Sequence, residues 1–254
     1  MMSQLQAYSM GNPVLASIGS RVSHLSRKMQ DCRVCSSRRF CLAQQMMDSA
    51  HSSTRTQQNR RIYAQGKHIF RAGETSQALY VVSSGSVKSC LHTEDGDEQV
   101  LGFYLAGDVF GLDATEHQQH SVSALTLETT SICKLPFSQL SHRGGVHGYS
   151  QLISDQLARD YNLVLMLARK DADGRLASFI CDFSDRFGAR GYSANRFNLS
   201  MSRQDIGSYL GLAIETVSRT LTRFQDNGLL QVRRRSLEVL NYDALRKVAG
   251  AQAA

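Results

Sequence analysis

The chain has 254 residues, of which 42% are hydrophobic and 20% charged, enough for one large domain or two ordinary ones with buried cores. No apolar run approaches the ~20 residues that span a bilayer, so no membrane partner is expected. The formal net charge of +7 is uneven: residues 1–60 hold eight Lys/Arg against two acids, 61–174 nine against thirteen, and 175–254 twelve against seven. A basic C-terminal third points to a polyanionic partner, and the acidic middle excludes a chain that is sticky throughout.

The N-terminus has no basic start followed by an apolar stretch, so no secretory signal is expected and the chain is expected in the cytoplasm. Its six cysteines then read as ligands or core thiols before disulfides. The first thirty residues carry little pattern and are expected to be mobile. Next, DCRVCSSRRFC sets Cys32, Cys35 and Cys41 in a C-x2-C-x5-C arrangement. Thiolates take soft or borderline metals, and a two-residue gap turns two sulfurs toward one centre. Arg33, Arg38 and Arg39 among them favour the thiolate form, although loop solvation explains them equally well. Three ligands leave a four-ligand site short by one. Residues 42–60, polar and rich in Gln and Ser, read as a linker or a weak helix.

From Tyr63 the texture changes. Glycines from Gly66 to Gly111 punctuate short β-prone runs such as LYVV, SVKSCL and QVLGFYL, and DGD at 95–97 marks a hairpin. The pattern predicts an all-β roll between residues 62 and 138. It contains neither a nucleophile with a nearby base nor a phosphate-cradling loop, so the chain is not expected to be an enzyme. The block ends in LETTSICKLPF. A lone cysteine there is ordinarily a small buried hydrophobe, but beside three cysteines lacking a partner, Cys133 is the best candidate for the fourth ligand. Cys90 and Cys181, in apolar surroundings, are assigned to the core, and His117 and His120 to a polar loop.

Residues 149–170 contain no Gly or Pro and predict a helix. Ile153, Leu157, Val164 and Leu167 follow heptad spacing if one slot, Asp160, is polar. The stripe is either a dimer seam carrying a fault or a helix whose Asp faces solvent. RLASFICDFSDRF at 175–187 predicts a second amphipathic helix.

In SRQDIGSYLGLAIETVSRTLTRF, residues 202–224, two helical segments meet at Leu210-Gly211-Leu212. Gly207 allows close approach and Gly211 a left-handed turn, which together predict a helix-turn-helix. Its second helix presents Glu215, Ser218 and Arg219 on one face, residue types that read base edges in the major groove. GLLQVRRRSLEVLN then predicts a hairpin wing with Arg233, Arg234 and Arg235 near its tip, suited to phosphates.

With these residues in view the sequence resembles the CRP/FNR family of bacterial transcription regulators, and within it the FNR-type oxygen-sensing branch. The resemblance runs from Cys32 to about Gly250 and is strongest in TEDGDEQVLGFYLAGDVFGLDA, LETTSICKLPF and SRQDIGSYLGLAIETVSRTLTRFQDNGLL. It implies an α+β chain: an N-terminal segment with cluster cysteines (1–60), a cyclic-nucleotide-binding-like β-roll sensor domain (61–148), a dimerisation helix (149–170) and a C-terminal winged helix-turn-helix (171–254). It further implies that Cys32, Cys35, Cys41 and Cys133 ligate a 4Fe–4S cluster that oxygen dismantles. The pattern E-x-x-S-R maps onto Glu215, Ser218 and Arg219, for palindromic DNA with TTGAT half-sites bound by a homodimer. RNA polymerase contact through the hairpin around Gly96, and an Asp160 that holds cluster-free chains apart, are implied in the same way.

Three rivals stay open: a CRP-type regulator with another effector, a structural zinc site, and an electron-transfer iron–sulfur protein. The cyclic-nucleotide version requires an acid for the ribose and an arginine for the phosphate. GDVFGLDATEHQQHSVSAL offers Asp108 and no arginine. Ile214 also stands where CRP-type readers carry an extra arginine. Two departures from the FNR pattern remain. Residues 42–60 match it poorly, and Gly174 replaces an acidic helix former, a change expected to loosen the start of the DNA-binding half.

Overall fold

The computed structural model describes residues 28–31, 35, 39, 41, 57–93, 96–114, 118–140 and 143–250. The first half is built from β1 (Lys28–Asp31), β2 (Gln57–Tyr63), β3 (His68–Phe70), β4 (Ala78–Ser84), β5 (Ser86–His92), β6 (Glu98–Leu105), β7 (Val109–Phe110), β8 (Ser123–Thr126) and β9 (Thr130–Pro136). Helices α1 (Phe137–Leu140), α2 (Arg143–Arg169) and α3 (Ala172–Ala189) follow. The remainder is β10 (Arg196–Asn198), α4 (Arg203–Leu210), α5 (Ile214–Asp226), β11 (Leu230–Arg233), β12 (Ser236–Val239) and α6 (Tyr242–Val248).

Two antiparallel sheets form the β-roll, in the orders β1-β2-β9-β4-β7 and β3-β8-β5-β6. They face each other through Phe70, Val87 and Ala124 from one side and Val82, Phe110 and Ile132 from the other. The two-residue period of a strand explains why β4 is buried on both faces. Tyr80 and Val82 turn into this interior, while Leu79 and Val81 turn outward and are covered by Leu152 of α2. On β9 the same alternation sends Ile132 inward and Cys133 and Leu135 outward. Gly85 makes the corner between β4 and β5 at φ 84°, where a Cβ would lie 2.6 Å from the Thr130 hydroxyl, so only glycine fits.

Two stretches differ from expectation. Gln57–Arg60, read as linker, is the first half of β2, and β1, whose first three residues were read as mobile, pairs with it in register from Lys28↔Arg60 to Asp31↔Gln57. Backbone pairing to β9, from Asn59↔Lys134 to Tyr63↔Thr130, overrides a polar composition with weak strand preference. The expectations for residues 1–27 and 42–56 lie outside the described residues. His120 is not in a polar loop. It is buried, its ring stacked 3.5 Å from that of Phe70, because the backbone bonds His120 N–H to Glu74 C=O (2.9 Å) and Gly73 N–H to His120 C=O (2.7 Å) draw the segment inward. His117 lies outside the described residues.

The long helix starts six residues before the glycine-free stretch, running through Gly144, Gly145 and Gly148. Each glycine disfavours helix by ~1 kcal/mol, but Tyr149 and Leu152 anchor the segment on the sheet. Between α2 and α3 the chain breaks for two residues, and Asp171 caps α3 by accepting from Gly174 N–H at 2.8 Å. Gly174 is closely packed at this joint. It is buried, and a Cβ there would meet Asp171 Oδ1 at 3.1 Å and Lys170 Cβ at 3.2 Å, so the glycine permits a tighter turn than an acidic residue would. Arg175 fastens it, donating to the carbonyls of Leu167 (2.8 Å) and Lys170 (2.9 Å) at the end of α2 and of Leu210 (3.1 Å) at the end of α4.

A second core joins α3 (Leu176, Ile180, Phe183), α4 (Ile206, Leu210) and α5 (Val217, Leu221, Phe224) to the sheet β10-β12-β11. It continues into Val100 and Phe103 of β6, so the apolar interior crosses from the roll into the helical half.

Candidate nucleic-acid interface and metal centre

Ser202 starts α4 with a reciprocal capping box. Its hydroxyl accepts from Asp205 N–H at 3.0 Å, and the Asp205 carboxylate accepts from Ser202 N–H at 2.8 Å. Gly211 ends the helix in the left-handed region (φ 62°, ψ 42°), and at Gly207 a Cβ would fall 2.6 Å from the Leu212 carbonyl oxygen. Both glycines are therefore required by the tight helix-turn-helix corner. α5 buries Val217, Thr220, Leu221 and Phe224, spaced i, i+3, i+4 and i+7. The opposite face leaves Glu215 and Arg219 exposed and Ser218 half-buried, its hydroxyl accepting from Arg203 at 3.1 Å. Thr220 on the buried face and the exposed Arg223 one turn on both donate to Asp173 of α3, which fixes the second helix against the first of this half.

Wing strands β11 and β12 pair Arg233↔Ser236, leaving Arg234 and Arg235 as a two-residue turn with Arg234 at φ 57°. All three arginines are exposed. Arg234 and Arg235 line, with Lys88, Arg203 and Asp205, a crevice of about 390 Å³ between the wing and the turn at Gln65–Gly66.

Sheet and reader are joined by charge. Asp108, in the β6–β7 turn, accepts from Leu105 N–H (2.7 Å), Arg186 (2.7 Å) and Arg190 (2.5 Å), and those arginines also donate to the carbonyls of Phe103 and Ala106. The acid that a cyclic-nucleotide reading offered to a ribose is thus committed to Arg186 in the last turn of α3 and Arg190 at its C-terminal cap. Lys88 on β5 bonds both Glu98 of β6 and Asp205 of α4. Ser208 of α4 donates to the Glu98 carbonyl (2.8 Å) and accepts from Val100 N–H (2.8 Å). Sequence reading missed Lys88, Arg186, Arg190 and Ser208. Only Asp205 had a signal, the S-x-x-D spacing of a capping box.

Cys41 and Cys133 both lie on the apolar patch that covers the outer face of the first sheet. Both pack against the cluster of Leu79, Val81, Val109, Leu135 and Leu152, beside Tyr149 of α2. Cys35 is also half-buried, and Cys32 lies outside the described residues. Cys90 and Cys181 are buried away from this patch, as assigned. Burial pushes the Cys90 thiol up to about 12 and that of Cys181 up to about 11.

Two family models match the chain. Residues 60–142 match the cyclic nucleotide-binding domain family, and residues 174–248 match the Crp-like helix-turn-helix domain family. The chain is 43% identical over 190 residues to the fumarate and nitrate reduction regulatory protein of Escherichia coli, covering 73% of this chain and 76% of that one. It is 42% identical, with the same coverage, to electron transport regulator A of Shewanella oneidensis. The chain belongs to the CRP/FNR family. Among solved structures, FixK2 from Bradyrhizobium japonicum superposes with a TM-score of 0.71 at 30% identity, covering 77% of this chain and 99% of that one.

As a CRP/FNR member the chain is a DNA-binding transcription regulator that forms dimers, not an enzyme. No described helix is long and apolar enough to cross a membrane. For a CRP/FNR protein the surface of α2 is informative. Ile153 (42% exposed), Leu157 (47%) and Val164 (61%) lie open in the single chain, Leu167 is half-buried, and Tyr161 and Leu165 widen the stripe. Asp160 is exposed among them and accepts from Gln156 at 2.8 Å.

Proposed function

We propose that this CRP/FNR protein is a cytoplasmic, oxygen-responsive regulator whose DNA binding is governed by a 4Fe–4S cluster held by Cys32, Cys35, Cys41 and Cys133. The observation that carries the reading is the packing of Cys41 and Cys133, remote in sequence, on one apolar patch under α2. Thiolates on a largely dry surface suit such a centre. When bound, the cluster supplies the oxygen sensitivity, since oxygen dismantles it.

The chain's own residues do the rest. Tyr149 and Leu152 share the cysteine patch, so ordering the N-terminal segment bears directly on the helix that carries the seam. Ile153, Leu157, Val164 and Leu167 pair with a second copy across a two-fold axis. The facing Asp160 carboxylates repel and lose hydration, which keeps the bare chains apart. The working parts are then 1–60 for the cluster, 61–148 for the sensor roll, 149–170 for the seam and 171–254 for the reader.

In the dimer, two copies of α5 enter successive major grooves of palindromic DNA with TTGAT half-sites. Glu215, Ser218 and Arg219 read bases, and Arg233, Arg234 and Arg235 hold phosphates. The hairpin at Gly96, closed by the bond from Gly96 N–H to Thr93 C=O (3.0 Å), is the surface offered to RNA polymerase.

Iron and acid-labile sulfide in chain purified without oxygen test the cofactor assignment, with about four of each expected per chain. One tightly held zinc and no sulfide would replace the sensor with a structural staple.

A further inference from the structure

Cys90, His92 and Glu98 bring a thiol, an imidazole and a carboxylate to one face of the β5–β6 hairpin, on the sheet opposite the one that carries Cys133. The strand period puts Cys90 and His92 on the same side, and the register sets His92 directly opposite Glu98. Their donor atoms all lie within 4.8 Å of one another, and no other such trio occurs among the described residues. One edge is held by a hydrogen bond from the Cys90 thiol to the Glu98 carboxylate. Cys90 Sγ lies 3.4 Å from Glu98 Oε2, against a sulfur–oxygen separation of about 3.5 Å for ligands 2.3 and 2.0 Å from a tetrahedral centre. His92 is exposed, which leaves the trio open to solvent on that side.

We propose that these three residues form a second metal site, for a single divalent cation of the zinc and cobalt class, with a water in the fourth position. The donor set selects the class. Thiolate and imidazole exclude magnesium and calcium, and three protein ligands with one open corner suit a borderline cation. Binding exchanges the Cys90 thiol proton, released to solvent, for a sulfur–metal bond, with no change of oxidation state. Thiolate and carboxylate neutralise the dication. Glu98 ligates through Oε2, leaving Oε1 with Lys88, whose charge is also met by Asp205. The site abuts the joint with the reader, since the Glu98 carbonyl accepts from Ser208.

The test is equilibrium dialysis of the full chain, prepared without oxygen, against zinc chloride, with bound zinc counted by elemental analysis. Counts are read as differences between parent and variant, so they do not depend on what the N-terminal cysteines hold. His92→Gln, at an exposed position that does not threaten folding, and Cys90→Ser are each expected to hold one zinc fewer per chain than the parent. Cys181→Ser should hold the same number. With cobalt chloride as probe, the near-ultraviolet thiolate-to-cobalt band of the parent should lose intensity in Cys90→Ser. Equal zinc counts in the parent and His92→Gln would overturn the site, as would cobalt spectra that Cys90→Ser leaves unchanged.

Discussion

Lys88 on β5 donates to Asp205 in the first turn of α4 at 2.6 Å, so one ammonium ties the sensor sheet to the residue that completes the reader's capping box. Both side chains are 13% exposed, and Lys88 is also held by Glu98. Lys88→Met strips two carboxylates of their shared partner. The expected cost is about 2–3 kcal/mol, toward the low end for buried pairs because some solvent remains. Urea unfolding should show a lower midpoint with an unchanged slope. A midpoint equal to the parent's would mean that the contact contributes nothing net.

The same contact sets a pH dependence. Burial raises the Asp205 carboxyl, but hydrogen bonds from Lys88 and Ser202 outweigh it and leave the group below 3.8. Its contribution is present above the unfolded value and is lost as pH falls through the depressed folded one. Lys88 runs the opposite way. Burial lowers it, while Asp205 and Glu98 raise it above 10.5, so its contribution is present below 10.5 and lost as pH rises through the raised value. Urea midpoints from acid to neutral pH should therefore fall less steeply on the acid side for Asp205→Asn than for the parent.

DNA readout separates into two classes of arginine. Arg219, exposed on the outer face of α5, is expected to lose ~1–3 kcal/mol at its cognate base on change to Ala and to relax specificity there. Equal weakening on random DNA would make it a phosphate contact. Changing Arg233, Arg234 and Arg235 together to Ala should weaken binding to all sequences and flatten the salt dependence. Lost specificity with an unaltered salt slope would contradict the wing assignment.

Asp160→Ala removes the one carboxylate from an otherwise apolar stripe whose neighbours Leu157 and Val164 lie open. Sedimentation in air should show a dimer for the variant and a monomer for the parent. Two monomers would return Asp160 to a solvated helix face.

Local features of the fold were legible where a residue's chemistry fixes the backbone around it. Gly207 and Gly211 announce the helix-turn-helix corner, because only glycine tolerates its contacts and its φ. Short β-prone runs between glycines announce the roll, and the C-x2-C-x5-C run announces ligands. Relationships between remote residues were not legible. Asp108 reads as an acid in a Gly-rich loop, and nothing in its neighbourhood shows that Arg186 and Arg190 will converge on it. Polar residues at 57–60 hide a strand because its partners, β1 and β9, supply the ladder. His120 was misjudged for a related reason: its surroundings are set by backbone bonds to Gly73 and Glu74, which a sequence window does not contain.

The central claim is that cluster, seam and reader form one switch, and the visible spectrum of the full chain before and after exposure to air, with DNA binding followed on the same sample, tests it most directly. Parent protein should show broad absorption without oxygen that bleaches in air while affinity for a palindromic site falls. Cys133→Ser should be colourless and bind weakly in both conditions, and Cys181→Ser should behave as the parent. A parent protein that is colourless from the start, or that bleaches without losing affinity, would contradict the account.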